Sequence, residues 1–428
     1  MLRNACPIYL VVHLGIISLA SAQSIPKNQL DVSFSYGSNQ LLPSLVTNSS
    51  LEFDRDKLFS DIWVQGEFKI SETLSYKGSL QVTDQPHELI GTNYSRPDYP
   101  LSTARVQRSV LNYNSGNLTV KFGRDDMLSG DMRPAIFCPP SGGDGFSWNF
   151  KINDMSFKHV FQVLPAESSS NQVFRRSISY HHLTKTISSH RFGAGEYFIL
   201  TGEQIGFDLK RLNPFLPYVV NSHDSAADNF NGFSGDSDNS LIKLFWRWHN
   251  NSSTIAVNLY VDEFQIDAVD REVFSDAMLL SISGIHELEI FDQPSIINYG
   301  VSMMNPNFGQ HPGPFTTTTI GVFPLFEYSP GMRSLYFFET QFRSDRGLQI
   351  SISGFTENWV PIMQLSPDQM NLREDLDALE MNSDSRMSVG AQYRFENFPL
   401  SIAGVGWVGT HDEYRSGIKV EAKYAWGN

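Results

Sequence analysis

Residues 238–267 restrict the possible folds more than any other part of this sequence. Apolar and polar side chains alternate along the first arm with a period of two, which is typical of a half-buried β-strand and not of a helix. A polar turn at residues 249–253 precedes a second arm with the same alternation, so the stretch predicts an antiparallel hairpin. The apolar positions are Ile242, Leu244, Trp246, Trp248, Ile255, Val257, Leu259 and Val261. Each arm has about ten residues and carries ionic groups on its other face, which indicates lipid on one side and water on the other.

The overall composition excludes two classes of protein. The formal net charge is -14 and charged residues make up 18% of the chain, whereas nucleic-acid binding requires a basic surface. After the N-terminal segment, no apolar run is long enough to form a membrane-spanning helix. The chain is long enough for several soluble domains, so composition alone leaves a soluble all-β protein as an alternative.

The first 22 residues predict a signal peptide. Arg3 supplies the positive end, residues 8–19 are apolar, and Ala20-Ser21-Ala22 is a small-residue cleavage pattern. After cleavage Cys138 is the one remaining cysteine, so an internal disulfide is excluded. The protein is therefore expected to be exported to the outer membrane of a Gram-negative-type cell.

Strand-like stretches of the same design recur along residues 23–428, and their connections alternate between short and long. This alternation predicts an all-β fold, a single transmembrane antiparallel outer-membrane β-barrel with about 18 strands, in a range of roughly 16 to 20. The short turns and both termini would lie in the periplasm. Long extracellular loops are predicted at about 39–60, 84–103, 124–147, 203–237 and 356–384, the last with a short helix within residues 368–380.

A set of charged positions alternates with the apolar face and is predicted to point into the barrel. These positions are Glu67, Lys69, Lys121, Lys243, Arg247, Asp262, Lys419, Glu421 and Lys423. Both signs of charge occur, as on the wall of a diffusion channel. The same groups would form cross-strand salt bridges in a plugged barrel, and both interpretations remain open.

Several short motifs, taken in order, resemble the capsule-assembly Wzi-like family. They comprise Gly123 and Arg124, Asn213 and Pro214, Asp238 and Asn239, Asp262 and Phe264, and Gly313 and Pro314. The sequence departs from the family pattern after Arg124, where Asp125-Asp126 stands instead of Trp-Gly. The resemblance implies an outer-membrane barrel of about 18 strands that organises or retains capsular or other surface polysaccharide without catalysis.

Aromatic residues in the predicted loops are the candidates for glycan contact. They are Trp148, Phe215, Tyr218, Phe230, Phe233, Trp359 and Tyr414. Sugars are held by aromatic faces together with planar hydrogen-bonding groups, and these loops also contain many Asn, Asp and Ser residues. The alternative is that each aromatic side chain only packs one loop onto another.

Metal and catalytic chemistry receive little support from the sequence. Asp224, Asp228, Asp236 and Asp238 form an oxygen-rich group that Ca²⁺ would accept, but they lack the spacing of an EF-hand loop, so a solvated acidic loop is favoured. His181 and His182 are adjacent in a strand and therefore point to opposite faces.

No Gly-x-Ser-x-Gly or His-Glu-x-x-His motif occurs, and no cofactor, metal or catalytic residue is predicted. A porin-like diffusion channel or transporter is the first alternative function, and an outer-membrane barrel hydrolase is the second. The expected partners are outer-membrane lipid, surface or capsular polysaccharide and the barrel assembly machinery, which would read Tyr424 and Trp426 near the C-terminus. Nucleic acid is not an expected partner, and the oligomeric state is left open.

Overall fold

A computed structural model describes most of the strands of the chain. The described residues are 29–38, 58–83, 103–125, 127, 143–169, 172–202, 238–263, 277–290, 293–308, 319–320, 323–324, 331–344, 347–360, 373–395, 400–409 and 415–427. The predicted signal peptide and most of the predicted long loops lie outside these ranges.

Twenty strands and one short helix occur in the described residues. The strands are β1 (Gln29–Ser38), β2 (Leu58–Lys69), β3 (Leu74–Thr83), β4 (Thr103–Ser115), β5 (Leu118–Asp125), β6 (Gly143–Ile152), β7 (Met155–Ser169), β8 (Gln172–Ile187), β9 (His190–Gly202), β10 (Asp238–His249), β11 (Ser253–Glu263), β12 (Ala277–Ile290), β13 (Gln293–Met304), β14 (Thr319–Ile320), β15 (Phe323–Pro324), β16 (Met332–Arg343), β17 (Leu348–Trp359), β18 (Asn382–Arg394), β19 (Leu400–Gly409) and β20 (Arg415–Gly427). The helix is α1 (Arg373–Ala378), which falls within the predicted helical stretch.

Eighteen of these strands form one antiparallel sheet, and β14 and β15 form a separate two-stranded pair. Each of the eighteen strands pairs with its neighbours in chain order, and β1 pairs with both β2 and β20. The first and last strands thereby close the sheet, which leaves no unpaired edge. The prediction of a transmembrane antiparallel barrel of about 18 strands is confirmed.

The connections alternate in length around the barrel. One edge has only short connections, at residues 70–73, 116–117, 153–154, 188–189, 250–252, 291–292, 344–347 and 395–399. The opposite edge has the long ones, except that β7 and β8 are joined there by residues 170–171 alone and β19 and β20 by residues 410–414. The start of β1 and the end of β20 both lie at the short-turn edge, as the sequence predicts. We describe the short-turn edge as periplasmic because this alternation is typical of outer-membrane barrels.

Several strands extend further than the sequence predicted. Strand β5 continues to Asp125 and β6 begins at Gly143, so both ends of the predicted loop 124–147 belong to strands. The predicted loops 39–60, 84–103 and 356–384 are shortened in the same way, because β2, β4, β17 and β18 begin or end inside them. In β6 small residues occupy the inner positions. The alternation of apolar and polar side chains that predicts a strand is therefore weak there.

The two faces of the sheet are identified from cross-strand pairs, because directly paired residues lie on the same face. One face carries a cluster of buried apolar side chains from β7 through β12 together with two residues from connections, so it is the inside. The other face carries exposed large apolar side chains such as Phe122, Val163, Leu183 and Leu244, so it faces lipid. In the hairpin of β10 and β11, Ile242 pairs with Val261 on the outside and Lys243 with Tyr260 on the inside.

Aromatic side chains occupy the outer face near the short-turn ends of several strands. They are Tyr113, Phe150, Phe192, Trp246, Trp248 and Tyr393. The indole Nε1 of Trp246 donates a hydrogen bond to Nδ1 of His190 at 3.2 Å. This arrangement matches an interfacial aromatic girdle at the periplasmic membrane surface. Among the described residues, no helix has the length and apolar character needed to cross a membrane.

Candidate functional site

The inner wall of the barrel carries the polar positions predicted from the sequence. Glu67 and Lys77 pair directly across β2 and β3 and form an ion pair of 3.0 Å. Lys121, Lys243 and Arg247 are half-buried on the same face. Asp262 falls at a β-bulge between Val261 and Glu263, and Lys69 is exposed at the periplasmic end of β2. In β20, Lys419, Glu421 and Lys423 stand at register positions opposite Gly37, Ser35 and Ser33.

Asp125 is the centre of an ion-pair network on the inner wall that the sequence did not predict. Its carboxylate is 2.6 Å from Nε of Arg108 and 2.8 Å from Nζ of Lys121, and the Asp125 side chain is only 4% exposed. The register of β4 and β5 brings Arg108 and Asp125 together. The sequence pattern places Asp125 in the predicted loop 124–147, and a loop position predicts no contact with β4.

Gly123 and Arg124, two of the motif positions, have a defined structural role. Gly123 has a φ of 123°, and a Cβ atom on it would lie 2.2 Å from the carbonyl oxygen of Ser109. Arg124 forms a two-pronged ion pair with Asp144 at 2.9 and 2.5 Å and donates a hydrogen bond to the carbonyl of Val106 at 3.2 Å. The Gly-Arg pair therefore joins β4, β5 and β6 near the outer ends of these strands.

The apolar cluster inside the barrel, called here the interior cluster, packs against one side of the lumen. Its strand residues are Val160, Leu164, Ile178, Tyr180, Tyr197, Ile199, Leu241, Tyr260 and Leu279, all 4% exposed or less. Met127, after β5, and Phe308, after β13, reach the cluster from outside the strands. The Phe308 amide donates to the carbonyl of Asn305, and the Asn305 amide donates to the carbonyl of Met278. These contacts hold parts of two long connections inside the barrel.

A basic and aromatic patch lies next to the interior cluster on its periplasmic side. Nζ of Lys243 is 5.2 Å from the ring centroid of Phe245 and 5.3 Å from that of Tyr260. Lys158 donates a hydrogen bond to the carbonyl of Met127 at 3.2 Å. The guanidinium of Arg191 is 6.0 Å from the Phe245 centroid. This part of the inner wall therefore combines positive charges with aromatic rings that contact them.

The outer face carries a polar row where lipid contact would favour apolar groups. Nε2 of His159 is 3.3 Å from Oγ of Ser179, and Nε2 of His181 is 3.4 Å from a carboxylate oxygen of Glu196. His181 lies on the outer face and His182 on the inner face, in agreement with the alternation of the strand. A serine nucleophile must be reachable by its substrate, but Ser179 is only 4% exposed. Ser179 and His159 are therefore buried in the wall, and the row gives no support to a hydrolase.

Two of the aromatic glycan candidates lie in strands. Trp148 is in β6 on the outer face, where its ring centroid is 5.2 Å from that of Phe157 and 6.1 Å from that of His159. Trp359 is the last residue of β17. The assignment of Trp148 to a loop is wrong, and its ring helps to cover the polar row. The other glycan candidates, Phe215, Tyr218, Phe230, Phe233 and Tyr414, lie outside the described residues.

Some of the remaining predicted positions lie in described strands, and the others lie outside the described residues. Asp238 and Asn239 begin β10, as the motif interpretation expects. Asn213, Pro214, Phe264, Gly313 and Pro314 of the motifs, and Asp224, Asp228 and Asp236 of the calcium group, lie outside the described ranges. Within those ranges, no group of three or more His, Cys, Asp or Glu side chains is placed to hold a metal ion.

Comparisons with known proteins show an outer-membrane barrel fold. No family model matches the chain, and no curated protein matches its sequence. Among solved structures, Wzi of Escherichia coli aligns with a TM-score of 0.53 and 11% identity, over 97% of this chain and 88% of that chain. Wzi is an outer-membrane protein involved in group 1 capsule assembly and a carbohydrate-binding β-barrel.

Two further solved structures resemble the chain less closely. OccAB4 of Acinetobacter baumannii has a TM-score of 0.49 with 8% identity, over 95% of this chain and 99% of that chain. The outer-membrane protein OpdK of Pseudomonas aeruginosa has a TM-score of 0.48 with 10% identity, over 94% and 99% of the two chains. At these identities the similarities concern the fold. This chain has the fold of outer-membrane β-barrels.

Proposed function

We propose that this protein is a Wzi-like outer-membrane barrel that binds glycan through its extracellular loops and takes part in the assembly or attachment of capsular or other surface polysaccharide, without catalysis. The segment of residues 1–22 would direct its export, and the barrel assembly machinery would insert it. The ordered motifs of the sequence and the fold shared with Wzi support this proposal.

The observation that carries the proposal is the interior cluster. Apolar side chains from six adjacent strands pack with Met127 and Phe308, which come from the long-loop edge. A wide aqueous channel would favour polar, water-contacting side chains at these positions. The cluster therefore supports a barrel that serves as a scaffold for surface loops, with part of its lumen filled.

The proposal is tested by binding to surface polysaccharide extracted from the source cell. We expect the purified protein to bind it, and we expect replacement of residues 203–237 by a short Gly-Ser linker to lower the affinity by at least about tenfold. A matched variant with residues 264–276 replaced controls for loop shortening as such. Equal binding by the wild type and both variants, or no binding by the wild type, would contradict the proposal.

A diffusion channel is the second candidate, and one observation favours it. On the inner wall of β2 to β4, away from the interior cluster, Gln65 is exposed and Arg108 is 45% exposed, so this side of the lumen contacts solvent. Conductance in planar lipid bilayers separates the two functions. Large stable channels from the wild type, together with no binding to polysaccharide, would establish the channel instead of the scaffold.

A further inference from the structure

The polar row on the outer face has an ion pair at its centre. His181 of β8 and Glu196 of β9 stand directly opposite each other, and Nε2 of His181 is 3.4 Å from the Glu196 carboxylate. Their side chains are 13% and 18% exposed, so part of each is accessible from the surface of the barrel. Elsewhere the outer face carries exposed apolar side chains such as Leu280 and Val389. The pair therefore departs from the composition of a surface that contacts only lipid.

The pair lies near the middle of the apolar band of the membrane. Phe192 and Trp246, which belong to the aromatic girdle, pair with each other four residues closer to the periplasm than Glu196. Four residues of a strand tilted by about 40° rise roughly 10 Å, and the apolar band is about 25 Å tall. Ionisable side chains at this depth almost always face protein or a water-filled cavity, because lipid does not replace their lost hydration.

Exposed apolar side chains border the pair on the same face. Ile242 stands directly opposite Glu196 in β10 and is 37% exposed. On the next outer rung toward the periplasm, Ala194 lies between Leu183 and Leu244, which are 46% and 47% exposed. A small residue between larger ones allows another protein surface to approach closely, and polar groups beside it form hydrogen bonds across the contact. These features are typical of a protein interface within a membrane.

The arrangement is complementary to itself. His181 and Glu196 lie on neighbouring strands at nearly the same height in the membrane. A two-fold axis along the membrane normal reverses the order of the two strands, so His181 of one copy faces Glu196 of the other. Two such pairs would form a closed group of alternating imidazole and carboxylate side chains. A second copy of this chain therefore supplies the matching groups without any other partner.

We propose that the outer face of β8 and β9 is an interface between two copies of this chain in the outer membrane, with His181 and Glu196 at its centre. Leu183, Ile242 and Leu244 of both copies would surround the polar groups and separate them from lipid. The interface lies on the membrane-facing wall and not in the surface loops. The proposal therefore goes beyond glycan binding and does not depend on it.

The test is disulfide crosslinking of the full-length protein in isolated outer membranes. Ala194→Cys, in a chain that also carries Cys138→Ser, places one thiol per copy close to the proposed axis. We expect mild oxidation to give a crosslinked dimer. Leu280→Cys in the same background is the control, because Leu280 is 41% exposed on the outer face of β12, away from the interface. The proposal is overturned if Ala194→Cys gives no dimer, or if Leu280→Cys gives as much.

Further changes connect the dimer to the ion pair. Adding His181→Leu and Glu196→Leu to the Ala194→Cys chain should lower the crosslinked fraction by about fivefold or more, because the polar contacts between copies are lost. Exchange of the two residues, His181→Glu with Glu196→His, should restore the dimer, since each group still faces its opposite across the axis. His286→Leu, which removes an outer-face histidine of β12, should leave the crosslinked fraction unchanged.

Heat-modifiable mobility in gels verifies that each variant is folded. Equal crosslinking of the folded double-leucine variant and its parent would overturn the role of the ion pair in the interface.

Discussion

Asp125 shows how a single carboxylate can join two strands of the inner wall. It lies within 2.8 Å of both Arg108 and Lys121, and its own side chain is almost fully buried while theirs reach solvent. Burial removes water from the carboxylate, so its two cationic partners must replace the lost hydration. The stabilising effect therefore depends on the charge at position 125.

Replacing Asp125 by Asn should lower the free energy of unfolding by about 1–3 kcal/mol, because two charged contacts of a buried acceptor are lost. Denaturant titration of the barrel refolded into phospholipid vesicles measures this change. Asp144→Asn is the control. Asp144 also pairs with an arginine but is 62% exposed, so its replacement should cost less than about 1 kcal/mol. Equal costs at both positions would contradict the role assigned to burial.

Gly123 is required by its backbone conformation and by the closeness of β4. Gly123→Ala should lower the free energy of unfolding by about 2 kcal/mol or more, because the new methyl group meets the Ser109 carbonyl at a φ that favours glycine. Gly116→Ala provides a comparison, since Gly116 also has a positive φ of 57° but has open space around it. A cost of about 1 kcal/mol is expected there. The same denaturant titration would refute the argument if Gly116→Ala were the more damaging change.

Val257 and Asn258 are neighbours on opposite faces of β11. Val257 pairs with Trp246 and Ile282 on the outer face, whereas Asn258 pairs with Phe245 and Ser281 on the inner face. Val257→Arg should therefore cost about 2–4 kcal/mol in vesicles, because it exposes a charge to lipid near the middle of the strand. Asn258→Arg should be much milder. Equal tolerance of arginine at the two positions would argue against the assignment of the faces.

The sequence was sufficient for the residues whose positions depend on alternation alone. Lys243 and Val257 were assigned to opposite faces because a strand changes face at each residue. Trp148 was misassigned because glycines at positions 143 and 145 interrupt the apolar and polar pattern. The contact between Arg108 and Asp125 depends on the register of β4 against β5. The pairing of β3 with β4 shows that register can shift, because it contains a bulge between Ser79 and Leu80. A single sequence does not encode such shifts in a recognisable pattern.

At the scale of elements, the connections differ in what they contribute. The short ones close hairpins, and the hairpin at residues 250–252 is held by the side chain of Asn250, which accepts hydrogen bonds from the amides of Ser252 and Ser253. Two of the long ones instead place Met127 and Phe308 against the interior cluster. The short turns are predictable from the turn-forming residues in the sequence. The inward contacts of the long connections depend on packing between distant parts of the chain.

Removal of the inward contacts should therefore open the lumen. The double variant Met127→Ala, Phe308→Ala removes two side chains that, among the described residues, reach the cluster from the connections, and we expect a higher single-channel conductance in planar bilayers than for the wild type. Leu288→Ala, on the outer face, should leave conductance unchanged. If the double variant conducts like the wild type while remaining folded, these two connections do not restrict the lumen.

At the scale of the whole molecule, closure of the sheet gives the barrel a continuous hydrogen-bonded framework. Each of the eighteen strands is hydrogen-bonded on both sides, so the backbone needs no partner from the lipid. The inside is not uniform around this ring. The arc from β7 to β12 holds the interior cluster and the basic patch, whereas the wall of β2 to β4 is polar and reaches solvent. Function is therefore expected to differ between the two sides of the lumen.

The two sides of the barrel also differ in strand length, because β7 and β8 are unusually long. These strands have 15 and 16 residues and meet across only residues 170–171. About 9–11 tilted residues suffice to cross the membrane, so the remainder would rise roughly 10–15 Å above the apolar band. Among the described strands these two are the longest, so the sheet itself extends furthest from the membrane on the side of the filled arc. The outer ends of these two strands therefore offer a sheet surface beyond the apolar band of the membrane on that side.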